Sequence, residues 1–231
     1  STHPTTAVPS TERFVAAYNT LADEGASEVL SIHISTALSG ILDVAHVAAR
    51  ETRSTHVMVI DSRQLSLGTG FLVETAAKMA EASSSIDEIL RALDNQIQRT
   101  RVFAALDTLE FLKRSGRMNR YMAGLATLLQ IKPIMTMQDG KPGSERVRTR
   151  DHSLKRVVAM LANVGPLERV AMVHTHASPE ILANLHSMAA HLIPQGAILS
   201  VDITPVIGAH IGPGAVGFAV VQSAEQSAVS F

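Results

Sequence analysis

The chain has 231 residues, 18% charged and 46% hydrophobic, enough apolar content for a packed core and against wholesale disorder. A formal net charge of −1 and 3% aromatic residues offer neither the basic excess nor the stacking platforms that nucleic-acid binding uses. Without cysteine there are no disulfides or thiolate metal sites, in keeping with a cytoplasmic protein, and no apolar run of about 18 residues marks a membrane span.

Residues 1–11 are rich in Ser, Thr and Pro and read as loop, and a start at Ser1 rather than Met reads as a fragment. Glu12 to Leu21 has helical spacing through Phe14, Val15, Tyr18 and Leu21. Next comes a strand in which Leu30, Ile32 and Ile34 alternate with Ser31 and His33. It ends in the hydroxyl-rich loop Ser35-Thr36-Ala37-Leu38-Ser39-Gly40 and feeds a helix from Ile41 to Ala48. A strand, a small polar loop and a helix place backbone N–H groups beside hydroxyls, a geometry suited to an anion; the plainer alternative is that Ser39 caps the helix. Thr55 to Ile60 is an unbroken apolar strand ending at Asp61, as expected of a strand buried on both faces. Helices over Phe71–Ala82 and Ile86–Ile97 precede a short strand at Val102–Leu106. The alternation predicts a parallel sheet with helices on both faces and ligands at the strand ends.

The second half reads differently. A basic turn, Lys113 to Arg120, leads to an apolar helix over Tyr121–Leu129. A strand at Ile134–Met137 turns at Asp139-Gly140 into a return strand with Arg146, Arg148 and Arg150 on one face, either a solvated face or a docking patch. Asp151 is placed to cap the next helix, and Ser178-Pro179-Glu180 is a helix start. Strands are expected at Val170–Val173, Ala197–Val201 and Val216–Val221. Thr204 to Ala215, with His210 among glycines and prolines, is expected to be a loop. The expected architecture is therefore α/β in two domains: residues 1–106, a parallel sheet with helices on both faces, and residues 107–231, an α+β unit.

Six stretches in order resemble the DegV family of fatty-acid-binding proteins. They are Ser35 to Gly40, Val59-Ile60-Asp61-Ser62, Asp107 to Arg117, Ile131-Lys132-Pro133-Ile134, Val147-Arg148-Thr149-Arg150 and Ile207 to Gly214. Ser115, Ile41 and Ile211 depart from the family pattern. The resemblance implies that the first domain, residues 1–106, is Rossmann-like and that the ligand between the two domains is a long-chain fatty acid in an apolar tunnel, with its carboxylate on hydroxyls and a histidine. Carried over by motif, the ligand residues are Thr6, Ser35, Ser39, Gly40, His210 and Gly212, Thr6 resting on a partial match at Thr6-Ala7-Val8-Pro9-Ser10. Arg117, Arg148 and Arg150 fall on stretches connected with docking to a fatty-acid kinase that makes acyl phosphate. The implied protein is a carrier, not an enzyme, with no cofactor besides its bound acid. The family's first strand has no counterpart, so roughly fifty residues of an ordinary member are expected to be missing and the parallel sheet to lack a strand.

Flexible Met118, Met122, Met135 and Met137 suit a tunnel wall that adapts to its ligand, or are ordinary core. A rival class is a metal-dependent hydrolase built on His174 and His176, with Asp202 and His210 as further ligands. Gly68-Thr69-Gly70 lacks the lysine of a phosphate-binding loop.

Overall fold

A computed structural model describes residues 4–118, 131–196 and 198–224. The expected helix over Tyr121–Leu129, with Met122, and Asn119, Arg120 and Ala197 lie outside the described residues.

The first unit is a two-stranded parallel sheet wrapped in helices. Strand β1 (Glu28–His33) pairs with β2 (His56–Asp61), and α2 (Ile41–Glu51) forms the crossover between them. Strand alternation sends Leu30 and Ile32 to one face, where they meet α3 (Ser66–Glu81) and α4 (Ile86–Arg99). Val29 goes to the other face, against Ala48 of α2 and Tyr18 of α1 (Thr11–Asp23). Helix α4 begins with a reciprocal capping box, in which the Ser85 hydroxyl accepts from the Glu88 N–H and the Glu88 carboxylate accepts from the Ser85 N–H.

The second unit is a six-stranded mixed sheet. Its strands are β3 (Thr100–Ala105), β4 (Lys132–Gln138), β5 (Lys141–Val147), β6 (Leu167–His174), β7 (Leu199–Asp202) and β8 (Val216–Gln222), in the order β5-β4-β3-β8-β6-β7. All neighbours are antiparallel except β6 and β7. One face, with Phe103, Ile134, Met172 and Phe218, is covered by α6 (Arg150–Val164) and α7 (Pro179–Ala189). The other, with Val102, Met137, Val173 and Ala219, meets Phe71 of α3 and the preceding Leu65.

Helix α3 is thus packed on both sheets: Leu72 and Ala76 join the core of the parallel sheet, and Phe71 joins that of the larger one. Gly68 allows this close approach, because a Cβ there would lie 2.8 Å from Val102 Cγ2.

Four expectations are corrected here. The strand at Val102–Leu106 does not extend the parallel sheet; as β3 it lies between β4 and β8, antiparallel to both. Its residues are apolar toward both faces, a pattern that suits a central strand of either sheet, so the choice is made by its partners and not by its own sequence. The arginines do not share a strand face: β5 ends at Val147, Arg148 follows in a turn, and Arg150 opens α6. That helix is capped by the Thr149 hydroxyl, which accepts from the His152 N–H, and not by Asp151. The fourth correction is the stretch around His210. Pro205 through Ile211 forms a short helix, α8, with Pro at its first turn and Gly212 at its end.

Candidate functional site

The hydroxyl loop after β1 is pinned from several sides. The Ser35 N–H donates to the Gln64 carbonyl at 2.8 Å, and the Ser35 carbonyl accepts from the Leu38 and Ser39 N–H groups at 2.9 and 3.3 Å. The Ser35 hydroxyl accepts from the Ala37 N–H at 3.2 Å and is buried. Asp61, at the end of β2, accepts from the Thr36 hydroxyl at 2.9 Å and the Arg63 N–H at 2.7 Å. Ser35 therefore holds the loop in shape rather than lining an open site.

Ser39 is placed differently. Its hydroxyl accepts from the Ile41 N–H at 3.2 Å, as a helix-start serine would, yet the residue also lines a cavity of about 310 Å³. The N-cap itself is Gly40, with no side-chain cap hydrogen bond, so the serine acts one position before the cap. A hydroxyl that accepts one hydrogen bond still has its own hydrogen to donate.

Across the cavity stands α8. His210, in its last turn, lies with Nε2 2.9 Å from Thr6 Oγ1. Thr6, Ser39, Arg117 and His210 are the polar residues of the wall, and Val8, Leu38, Leu112, Ile207 and Ile211 are among its apolar ones. A second, smaller chamber of about 50 Å³ adjoins it, reaching Val102, Ala104 and Met135 of the large sheet. The two share Leu65, Leu112, Ile207 and Ile211. The polar wall residues of the first and the apolar depth of the second make one amphipathic recess at the junction of the two sheets.

The remaining sequence candidates sort by position. Gly40 is the exposed N-cap of α2 and has open space where a Cβ would be, so nothing there requires glycine. Gly212 sits at φ +76, and a Cβ there would come 2.3 Å from the Phe111 ring; it closes α8 and is absent from the cavity wall. Arg117 lies in the cavity wall, its guanidinium donating to the Ser115 carbonyl at 2.8 Å. Arg150 is largely buried: one guanidinium nitrogen is 3.2 Å from Asp107 Oδ1, and another donates to the Gly214 carbonyl at 2.6 Å. Burial lowers its pKa and the Asp107 carboxylate opposes that shift. Such a side chain ties two loops together and offers little to a partner, whereas Arg148 is exposed. Of the methionines, Met135 reaches the inner chamber, Met118 packs beside it, and Met137 belongs to the core between α3 and the large sheet.

The metal-hydrolase alternative finds no convergent ligand set. His176 is exposed and ion-pairs with Asp202 at 2.6 Å, His174 Nδ1 is 3.9 Å from that carboxylate, and His210 is engaged with Thr6. Among the described residues no three His, Cys, Asp or Glu side chains come together as a metal site.

Sequence reasoning missed Leu65, Leu112 and Ile207 as wall residues. They carry no chemical signature, and only the meeting of α3, α5 (Glu110–Arg114) and α8 brings them together. Among the described residues no helix is long and apolar enough to cross a membrane.

Known proteins bear on this recess. A DegV domain-containing protein of Streptomyces coelicolor is 34% identical over 219 residues, covering 94% of this chain and 78% of its own length. A solved DegV-family protein of Thermus thermophilus, described for its fatty-acid binding, superposes with a TM-score of 0.83 at 32% identity, covering 95% of this chain and 79% of its own. DegV of Bacillus subtilis, described as a fatty acid binding protein, gives a TM-score of 0.83 at 28% identity with the same coverage. A family model described as an uncharacterised protein of the DegV family matches residues 1–223. With that match over nearly its whole length, the chain belongs to the DegV family.

Proposed function

We propose that the chain binds a long-chain fatty acid in this recess, with the carboxylate among Thr6, Ser39, Arg117 and His210 and the acyl chain running inward. The carrying observation is the Thr6–His210 pair at 2.9 Å in the wall of an otherwise largely apolar cavity. With its proton on Nε2, His210 donates to the Thr6 oxygen and leaves the Thr6 hydroxyl hydrogen for an acceptor. Ser39, accepting from the Ile41 N–H, is in the same condition. Two hydroxyl donors and a guanidinium offset the cost of taking a carboxylate partly out of water. The apolar walls supply affinity: at about 0.8 kcal/mol per buried CH₂, a long acyl chain gains on the order of 10 kcal/mol before ordering costs. The fatty-acid binding described for the Thermus and Bacillus relatives supports the same ligand.

Presentation of the bound acid to a fatty-acid kinase is the further step of this reading. It is supported by the exposure of residues 7–10, of which Ala7, Val8 and Pro9 line the cavity together with Thr6 and His210 and so lie within a partner's reach. The exposed Arg148 is the docking residue that remains once Arg150 is committed to Asp107 and Gly214.

The test is to denature the purified protein in organic solvent and identify what is released by mass spectrometry. A long-chain fatty acid near one per chain is expected, and His210→Ala should retain several-fold less. A folded protein that releases no acid and takes up none when palmitate is supplied refutes the reading.

A further inference from the structure

The recess has two parts that differ in kind. The outer cavity of about 310 Å³ holds Thr6, Ser39, Arg117 and His210. The inner chamber of about 50 Å³ is floored largely by one face of the large sheet: Val102 and Ala104 alternate along β3, Leu106 follows just past its end, and Met135 sits directly across from Ala104 in the β3–β4 register. Between the two lie Leu65, Leu112, Ile207 and Ile211, which line both spaces. Ile207 and Ile211 are four residues apart on α8 and so share the face of that helix that also carries His210's neighbours. The distance from His210 to the divide is therefore set within one helix. Leu112 is fully buried at this divide.

We propose that the inner chamber receives the end of the acyl chain and that Ala104, on its floor, and Leu112, at its entrance, set which chain lengths fit. This rests on the fatty-acid reading above. The physical ground is that a chamber of this size has room for only a short terminal segment, and every wall atom added or removed there is felt as lost contact or overlap. Met135 gives the floor some compliance, since an unbranched thioether can change rotamer where a branched side chain cannot. Ala104 gives it none: its side chain is already a single methyl, so the space above it exists because the residue is small.

Two substitutions act in opposite directions. Ala104→Leu fills the chamber, and Leu112→Ala removes one of the four side chains common to both spaces and widens the passage between them. The measurement is the dissociation constant of laurate and of stearate, for the full chain and each variant, after stripping any co-purified lipid. Laurate leaves the inner chamber unneeded and reports that the head-group site and the fold are intact. For Ala104→Leu the stearate-to-laurate preference should fall by about tenfold or more, the discrimination expected of a methylene-sized misfit in an apolar pocket. For Leu112→Ala it should rise by several-fold. A preference that stays within twofold of the unsubstituted chain in whichever variant still binds laurate overturns the proposal. If both variants lose laurate, the smaller change Ala104→Val decides on the same criterion. An unsubstituted chain that binds neither acid overturns the fatty-acid reading and this inference with it, whereas binding with an unmoved preference overturns this inference alone.

Discussion

Gly212→Ala is expected to be among the most damaging single-methyl additions to this protein. Gly212 follows the last turn of α8 at φ +76 and ψ 172, a region that L-residues occupy at a cost of about 1–3 kcal/mol. The new Cβ would also stand 2.3 Å from Phe111 Cδ2 and 2.7 Å from Cε2, so the ring or the helix end must move; overpacking of this kind costs about 1–3 kcal/mol. The two together come to about 2–6 kcal/mol against a total stability of about 5–15 kcal/mol for an ordinary domain. At about 2–4 °C per kcal/mol for a chain of this size, the melting temperature should fall by about 4–24 °C. Gly40→Ala is the matched control: its φ is −81 and no atom lies within 4 Å of the added Cβ, so its melting temperature should stay within about 2 °C. Circular dichroism melts of the three proteins at one pH decide it. Equal melting temperatures for Gly212→Ala and Gly40→Ala would refute the assignment of Gly212 to packing, and would return both glycines to the same footing as loop residues.

Thr6→Val keeps the shape of the threonine but removes the partner of His210, and should weaken palmitate binding by about fivefold to tenfold, read by calorimetry; an unchanged constant places the head group elsewhere. Arg150→Met removes the tie between Asp107 and the Gly214 carbonyl, whose groups are partly solvent-screened, and should cost about 1–2 kcal/mol in urea unfolding without altering lipid retention. Arg148→Ala should leave stability and lipid retention unchanged while slowing acyl phosphate formation when the loaded protein is given to a fatty-acid kinase; an unchanged rate removes Arg148 from the docking surface. His33, whose Nε2 lies 2.7 Å from the Ser31 hydroxyl, has its pKa lowered from 6.5, chiefly by burial and then by His46. The unfolded chain therefore binds this proton more readily than the folded one. Stability from this group is complete above pH 6.5 and is lost as pH falls below that value through the folded pKa. His33→Gln should flatten the dependence of the urea midpoint between pH 7.5 and 5.5, and a slope equal to that of the unsubstituted chain would assign the loss to other groups.

Much of this molecule could be read from patterns along the chain. The alternation of Leu30 and Ile32, the apolar run before Asp61 and the Ser178-Pro179 helix start all give the observed elements, because each depends on neighbours in sequence. Thr6 and His210 came to notice through motif resemblance, and the fold brings them within 2.9 Å of each other across 204 positions of chain. What escaped reading was set by distant partners. Whether β3 joins one sheet or the other depends on β4 and β8. That Arg150 turns inward depends on Asp107 and Gly214, which local spacing does not reveal. The glycines and prolines around His210 suggested a loop, yet Pro205 at the first turn and Gly212 at the end are also the punctuation of a short helix. Arg117 was connected with docking, and its place in the cavity wall emerges only when α5 is set against α8.

The sharing of α3 between the two sheets bears on how this protein comes apart. A helix with Leu72 in one core and Phe71 in the other gives neither core a boundary at which to melt alone. The chain should therefore unfold in a single cooperative transition in spite of its two sheets. Ligand occupancy should then raise amide-exchange protection along α3 as far as Ala76, well beyond Leu65, which touches the cavity.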